Sequence, residues 1–141
     1  MYWLDIAARP DAKLKELDAL LRRVWLECCG HLSEFYGSPR DKVSMNRKID
    51  EVLGSTGSHL GYVYDFGSST ELVVNHAGVI EAGPAKGVRV VARNEAPSCS
   101  CNVCGQPATM VCAECPDDGG FCCETHALKH PCGDDMLLPV V

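Results

Sequence analysis

The sequence predicts an α+β fold, one long helix packed on a sheet of four or five strands, followed by a small zinc-binding module. Three observations carry that expectation. Apolar residues recur every three or four positions between Leu14 and Cys28. Runs that alternate between apolar and polar residues fill 60–66 and 87–93, with a partner for the first at 70–75. Eight of the ten cysteines crowd after residue 98.

Taken in order, Tyr2-Trp-Leu-Asp-Ile6 reads as an opening strand. Pro10 and Asp11 then start the helix, with Asp11 as its N-cap. Leu14, Leu17, Leu21, Val24 and Cys28 form one apolar face, and Lys13, Lys15, Arg22 and Arg23 sit mostly off it. Gly30 stops the helix, because glycine alone adopts a left-handed cap at little cost. A short strand is expected at 33–36, a turn at Gly37-Ser-Pro39, and a second, shorter helix from near Ser44 or Asn46 to just before Gly54. Ile49, Val52 and Leu53 face inward on that helix. Leu60, Tyr62, Tyr64 and Phe66 then alternate with Gly61, Val63 and Asp65, the period of a strand. Gly67-Ser-Ser69 turns the chain into an antiparallel partner over 70–75, and 87–93 closes with another strand.

Composition narrows the class. The chain has 141 residues, 46% hydrophobic and 23% charged, which argues against a mainly disordered protein. No run of about 18 apolar residues exists, so a membrane span is not expected. The N-terminal residues lack the basic-then-apolar layout of a signal peptide, which predicts a cytoplasmic address. In a reducing compartment, ten cysteines point to metal rather than to disulfides.

Charge places the join. Residues 1–97 hold 12 Lys and Arg against 13 Asp and Glu. Residues 98–141 hold Lys129 alone against Glu114, Asp117, Asp118, Glu124, Asp134 and Asp135. We therefore expect an α+β domain over 1–97 and a metal-filled module over 98–141, joined at Asn94-Glu-Ala-Pro97. So short a module is too small to bury a self-sufficient core.

The strongest motif reads Cys101-x2-Cys104-x7-Cys112-x2-Cys115-x7-Cys123-x2-His126-x3-His130-x-Cys132. A Cys-x2-Cys pair presents two thiolates from one tight turn, and Gly105 suits the turn after Cys104. Four pairs supply eight ligands, enough for two tetrahedral sites of mixed sulfur and nitrogen, which is the donor set zinc prefers. Two Zn2+ ions are the expected cofactors. Spacing also leaves Cys122 as an alternative to Cys123, and Cys99 as an alternative to Cys101. Four protein ligands per ion close each site to water, so the zinc is expected to be structural and no catalytic residue is assigned.

Over about residues 101–132 the string resembles the B-box zinc finger, a cross-braced module. The resemblance implies that the first and third pairs share one ion and the second and fourth share the other. Cys101, Cys104, Cys123 and His126 would hold one zinc, and Cys112, Cys115, His130 and Cys132 the second. In the first domain, Trp25-Leu-Glu-Cys-Cys-Gly-His-Leu-Ser33 and Tyr62-Val-Tyr-Asp-Phe-Gly67 are similar to the Ri-plasmid ORF-three-like (pRiA-type) family. That resemblance spans roughly residues 14–75 and implies an α+β fold, a mobile-element setting and no established activity. The family's Pro-Pro-x-Trp opening is missing here. Ser68-Ser-Thr-Glu-Leu72 stands where the family often has an acidic residue, Trp and His.

Three lesser groups have blander roles as their preferred reading. Cys28, Cys29 and His31 could pair a thiol with a base, but the cysteines end a helix, whose negative pole disfavours a thiolate. Core packing is the expectation for Cys28. Asp65, Glu71 and His76 could form a polar site, with a solvated or turn-bonding Asp65 the preferred reading. Arg40, Lys42, Arg47 and Lys48 are the only basic concentration, diluted by Asp41, Asp50 and Glu51. The sequence thus favours a non-enzymatic protein whose zinc module binds another protein or serves as a scaffold. A nucleic-acid-associated factor is the alternative, disfavoured because duplex binding needs Lys and Arg at phosphates.

Overall fold

The computed structural model describes residues 2–26, 30–38, 41–67, 69–95, 97–115 and 120–140, with the backbone alone at Leu26. The chain divides into two units, Met1–Arg93 and Asn94–Val141.

In the first unit, β1 (Leu4–Ala8) pairs antiparallel with β6 (Val88–Arg93), with a register shift between Asp5 and Ile6. A separate four-stranded antiparallel sheet runs β3-β2-β4-β5, from β2 (Ser33–Tyr36), β3 (Lys42–Val43), β4 (His59–Tyr64) and β5 (Thr70–Asn75). The alternation read from the sequence ends early in β4. Asp65 adopts a left-handed φ of 56°, its carboxylate accepts the Gly67 N–H at 3.0 Å, and Phe66 turns out to 54% exposure. Asp65 is thus a turn-bonding residue.

The expected single long helix is not formed, and this corrects the predicted fold class. The molecule is mostly sheet and 18% helical. Helix α1 covers only Leu14–Leu21, after which the coil widens into a five-residue π-helical segment, Arg22–Leu26. Apolar periodicity marks a buried face, and it continues through Val24 whether or not the α-helical ladder does. At the change of pitch Arg22 is held by Asp18 Oδ2, one turn back within α1, at 3.0 Å and by Ser33 Oγ of β2 at 2.6 Å. Asp11 is not the N-cap either; it pairs with Arg9 at 2.9 Å. The first helical donors are taken by backbone instead, Leu14 N–H by the Arg47 carbonyl and Lys15 N–H by that of Met45. Glu16 reaches back to the Lys13 N–H at 2.9 Å. Helix α2 is a single turn, Ile49–Val52.

The core of this unit is Leu14, Leu17 and Leu21 of α1 against Phe35, Leu53, Leu60, Tyr62 and Tyr64. Phe35 and Tyr62 are direct cross-strand partners with ring centroids 4.8 Å apart. Burying each such side chain contributes roughly 1.5–3 kcal/mol. Cys28, expected to pack there, lies outside the described residues, as does Cys29.

The second unit is built on a three-stranded sheet in the order β8-β7-β9: β7 (Met110–Cys112), β8 (Phe121–Cys122) and β9 (Leu137–Pro139). A one-turn helix α3, Glu124–Ala127, follows β8 directly. Among the described residues its buried hydrophobic side chains are Cys101, Cys112, Cys122 and Ala127. Its interior is therefore made largely of sulfur.

Candidate metal centre

Each ligand is delivered by a turn or an element end. Cys101 and Cys104 flank a knuckle closed by the Gly105 N–H to the Cys101 carbonyl (2.8 Å) and the Cys101 N–H to the Gln106 carbonyl (2.7 Å). Gly105 makes that turn possible with a φ of +72°. Cys112 ends β7, and Cys115 follows in a turn closed by its N–H to the Cys112 carbonyl at 3.4 Å. Cys123 caps α3, which carries His126 one turn on. His130 and Cys132 flank the turn after α3, where Gly133 N–H donates to the His130 carbonyl at 3.2 Å and Gly133 takes a φ of +84°.

These turns bring together two groups, Cys101, Cys104, Cys123 and His126, and Cys112, Cys115, His130 and Cys132. In each, one donor atom per residue lies within 4.8 Å of all the others. All eight spacing-derived residues fall in one group or the other, and the partition interleaves the four pairs. Cys99 and Cys122 belong to neither. The Cys99 carbonyl instead accepts the Ala108 N–H at 2.8 Å, and Cys122 is buried on β8.

The distances test what could fit. In the first group, His126 Nδ1 lies 3.5 Å from Cys101 Sγ and 3.3 Å from Cys123 Sγ, and the Cys104 and Cys123 sulfurs are 3.8 Å apart. In the second, Cys115 Sγ lies 3.7 Å from His130 Nε2 and 3.6 Å from Cys132 Sγ. A disulfide would need about 2.05 Å. Zinc–sulfur bonds of about 2.3 Å and zinc–nitrogen bonds of about 2.0–2.1 Å give a tetrahedron with edges of roughly 3.5–3.8 Å. The observed separations are close to those edges, and three thiolates with an imidazole are the donors a zinc-like cation selects. Both groups could hold a metal ion.

Their electrostatics point the same way. The Cys101 thiol is drawn down to about 6, chiefly by a hydrogen bond from the Cys123 backbone N–H, so it reaches the ligating thiolate form easily. Cys115 is pushed up to about 12, first by its hydrogen bond to Cys132 and then by that to Cys112. Like charges gathered in one place repel, and a divalent cation removes that repulsion while releasing the remaining protons.

The lesser candidates disperse. Register sets Asp65 beyond the Tyr64–Thr70 end of the β4–β5 ladder and His76 beyond the His59–Asn75 end, so Asp65, Glu71 and His76 do not converge. His31 Nδ1 lies 3.8 Å from Asp65 Oδ1, and Cys28 and Cys29 lie outside the described residues. In the basic cluster, Lys42 pairs with Glu34 at 3.1 Å and Arg47 with Glu51 at 2.6 Å, while Arg40 is outside the described residues.

Sequence reasoning missed a polar cluster in the first unit. Asp18 Oδ1 accepts from Tyr62 Oη at 2.7 Å and from Ser33 Oγ at 2.6 Å, while Arg22 donates to Asp18 Oδ2 and lies over the Tyr64 ring at 5.0 Å. The Asp18–Arg22 spacing of four was the one signal available, and it names a helical pair without its distant partners.

Comparison of the chain with protein-family models, with curated proteins and with solved structures returns no match. The resemblances to the B-box finger and to the Ri-plasmid family therefore rest on the quoted residues alone. Among the described residues, no helix is long and apolar enough to cross a membrane.

Proposed function

We propose that this is a non-enzymatic, cytoplasmic protein whose second unit is a B-box-like module holding two structural Zn2+ ions and presenting a rigid surface to another protein. The observation that carries the reading is the pair of Cys3His groups, each with four protein donor atoms within 4.8 Å of one another. Four-ligand zinc leaves no position for a reacting water. Two side chains beside the first group support a protein partner: Val103, inside the first knuckle, is 69% exposed and Leu128, two residues after His126, is 77% exposed. Charge argues against nucleic acid. Residues 94–141 carry Lys129 against seven carboxylates, and six zinc-bound thiolates on two ions lower the charge by about two more. The basic residues described in the first unit are partly spent on Glu34, Glu51 and Asp18.

Metal analysis of the purified protein is expected to give two zinc ions per chain; one or none at full occupancy rejects the two-site reading. A duplex-DNA titration at about 150 mM salt separates the functional classes, because phosphate neutralisation dominates non-specific affinity. No submicromolar binding is expected. Tight binding with a steep salt dependence would instead make the protein a nucleic-acid factor.

A further inference from the structure

Cys122 is a buried thiol that neither metal group uses. It sits on β8 at 4% exposure, paired across the ladder with Met110. Its Sγ lies 3.7 Å from Nδ1 of His130. The other ring nitrogen of His130, Nε2, lies 3.7 Å from Cys115 Sγ, inside the second group. His126 is turned the other way, with Nδ1 toward the sulfurs of the first group.

A neutral imidazole ligates a metal through one nitrogen and keeps its proton on the other. Whatever accepts that proton fixes the tautomer and the plane of the ring. We propose that Cys122 is the positioning residue of the second group: its sulfur accepts the His130 Nδ1–H and commits His130 to bind metal through Nε2. The inference rests on reading the two groups as zinc sites. Strand geometry explains how adjacent cysteines take separate tasks. Successive side chains at a strand point to opposite faces, so Cys123 serves the first group as a ligand while Cys122 turns toward the second. The Thr109 N–H to Cys122 carbonyl bond of 2.9 Å holds the backbone in place between them.

The test uses the full-length, zinc-loaded chain labelled with nitrogen-15. Long-range proton–nitrogen correlations of the imidazoles should show His130 protonated at Nδ1 and metal-bound at Nε2, with His126 the reverse. Losing such an outer partner commonly weakens a metal site about 10–100-fold, and Cys122→Ala is expected to weaken the second site by that much. The first site should keep its affinity. Cys122→Ser should recover most of the loss, since a hydroxyl can also accept the proton; a purely space-filling role would not distinguish Ser from Ala in this way. His130 bound through Nδ1, an Ala variant with unchanged affinity, or a Ser variant no better than Ala would each overturn the proposal. Should the variants fail to fold, the tautomer pattern of the unmutated protein still decides. Failure of the unmutated chain to take up zinc is a separate result, which removes the metal reading itself.

Discussion

Asp18 shows how much one carboxylate can organise. It ties α1 to β2 through Ser33 and to β4 through Tyr62, at 2.6 and 2.7 Å. Burial, and then the hydrogen bond to Asp18, push the Tyr62 phenol well above its ordinary range. The sign follows: the folded state holds the Tyr62 proton more tightly than the unfolded chain, whose tyrosine titrates near about pH 10. The stability this supplies is complete below about pH 10 and falls as pH rises beyond it. Tyr62→Phe should therefore cost about 1 kcal/mol at neutral pH, the usual net worth of such a hydrogen bond. It should also flatten the alkaline limb of the stability curve. Denaturant melts of both proteins from pH 7 to 11 check this, and identical alkaline slopes would contradict it. None of the network was legible in the sequence beyond its helical pair, because the Asp18–Tyr62 contact spans 44 residues and depends on strand register.

At the scale of elements, periodicity located faces better than it located ends. Leu14, Leu17 and Leu21 are buried as one stripe, and the β4–β5 pairing runs over Thr70–Asn75. The length of α1 was not legible, because the carbonyls of Met45 and Arg47 take its first donors and Ser33 of β2 holds Arg22 where its pitch changes, distant partners that periodicity does not encode. The metal groups were more legible than the fold, since ligand spacing along a turn is a local property and needs no tertiary register. Glycine positions matter here too. A Cβ at Gly120 would lie 2.8 Å from Cys112 Cβ and 3.1 Å from the Cys112 backbone N and O, and the Cys112 N–H donates to the Gly120 carbonyl at 2.9 Å. Backbone cannot swing aside as a side-chain tip does. Gly120→Ala should therefore displace Cys112 and weaken the second group selectively, by about 1–3 kcal/mol, as overpacking generally costs. Competition with a zinc-binding dye measures it, and equal loss at both groups would contradict the assignment.

The two units differ in what holds each together, and this decides how the whole molecule responds to metal removal. Met1–Arg93 has a core of leucines, Phe35, Tyr62 and Tyr64 joined by helix and sheet. In Asn94–Val141, three of the four described buried hydrophobic residues are cysteines, and two of those, Cys101 and Cys112, belong to the metal groups. A three-stranded sheet with strands of two or three residues supplies few ladder bonds, and so short a unit buries too little apolar area to offset its conformational entropy. Zinc binding in small finger peptides contributes an apparent 10–16 kcal/mol or so near neutral pH, and that free energy is folding free energy. Chelation should thus unfold the second unit and leave the first largely folded. Amide proton–nitrogen spectra before and after adding a strong chelator read both at once. Signals from residues 100–139 should collapse to random-coil positions, those of β4 and β5 should stay, and zinc should restore the originals. Loss of both sets together would mean that the two units share a cooperative core, and that metal holds the whole chain rather than its last third.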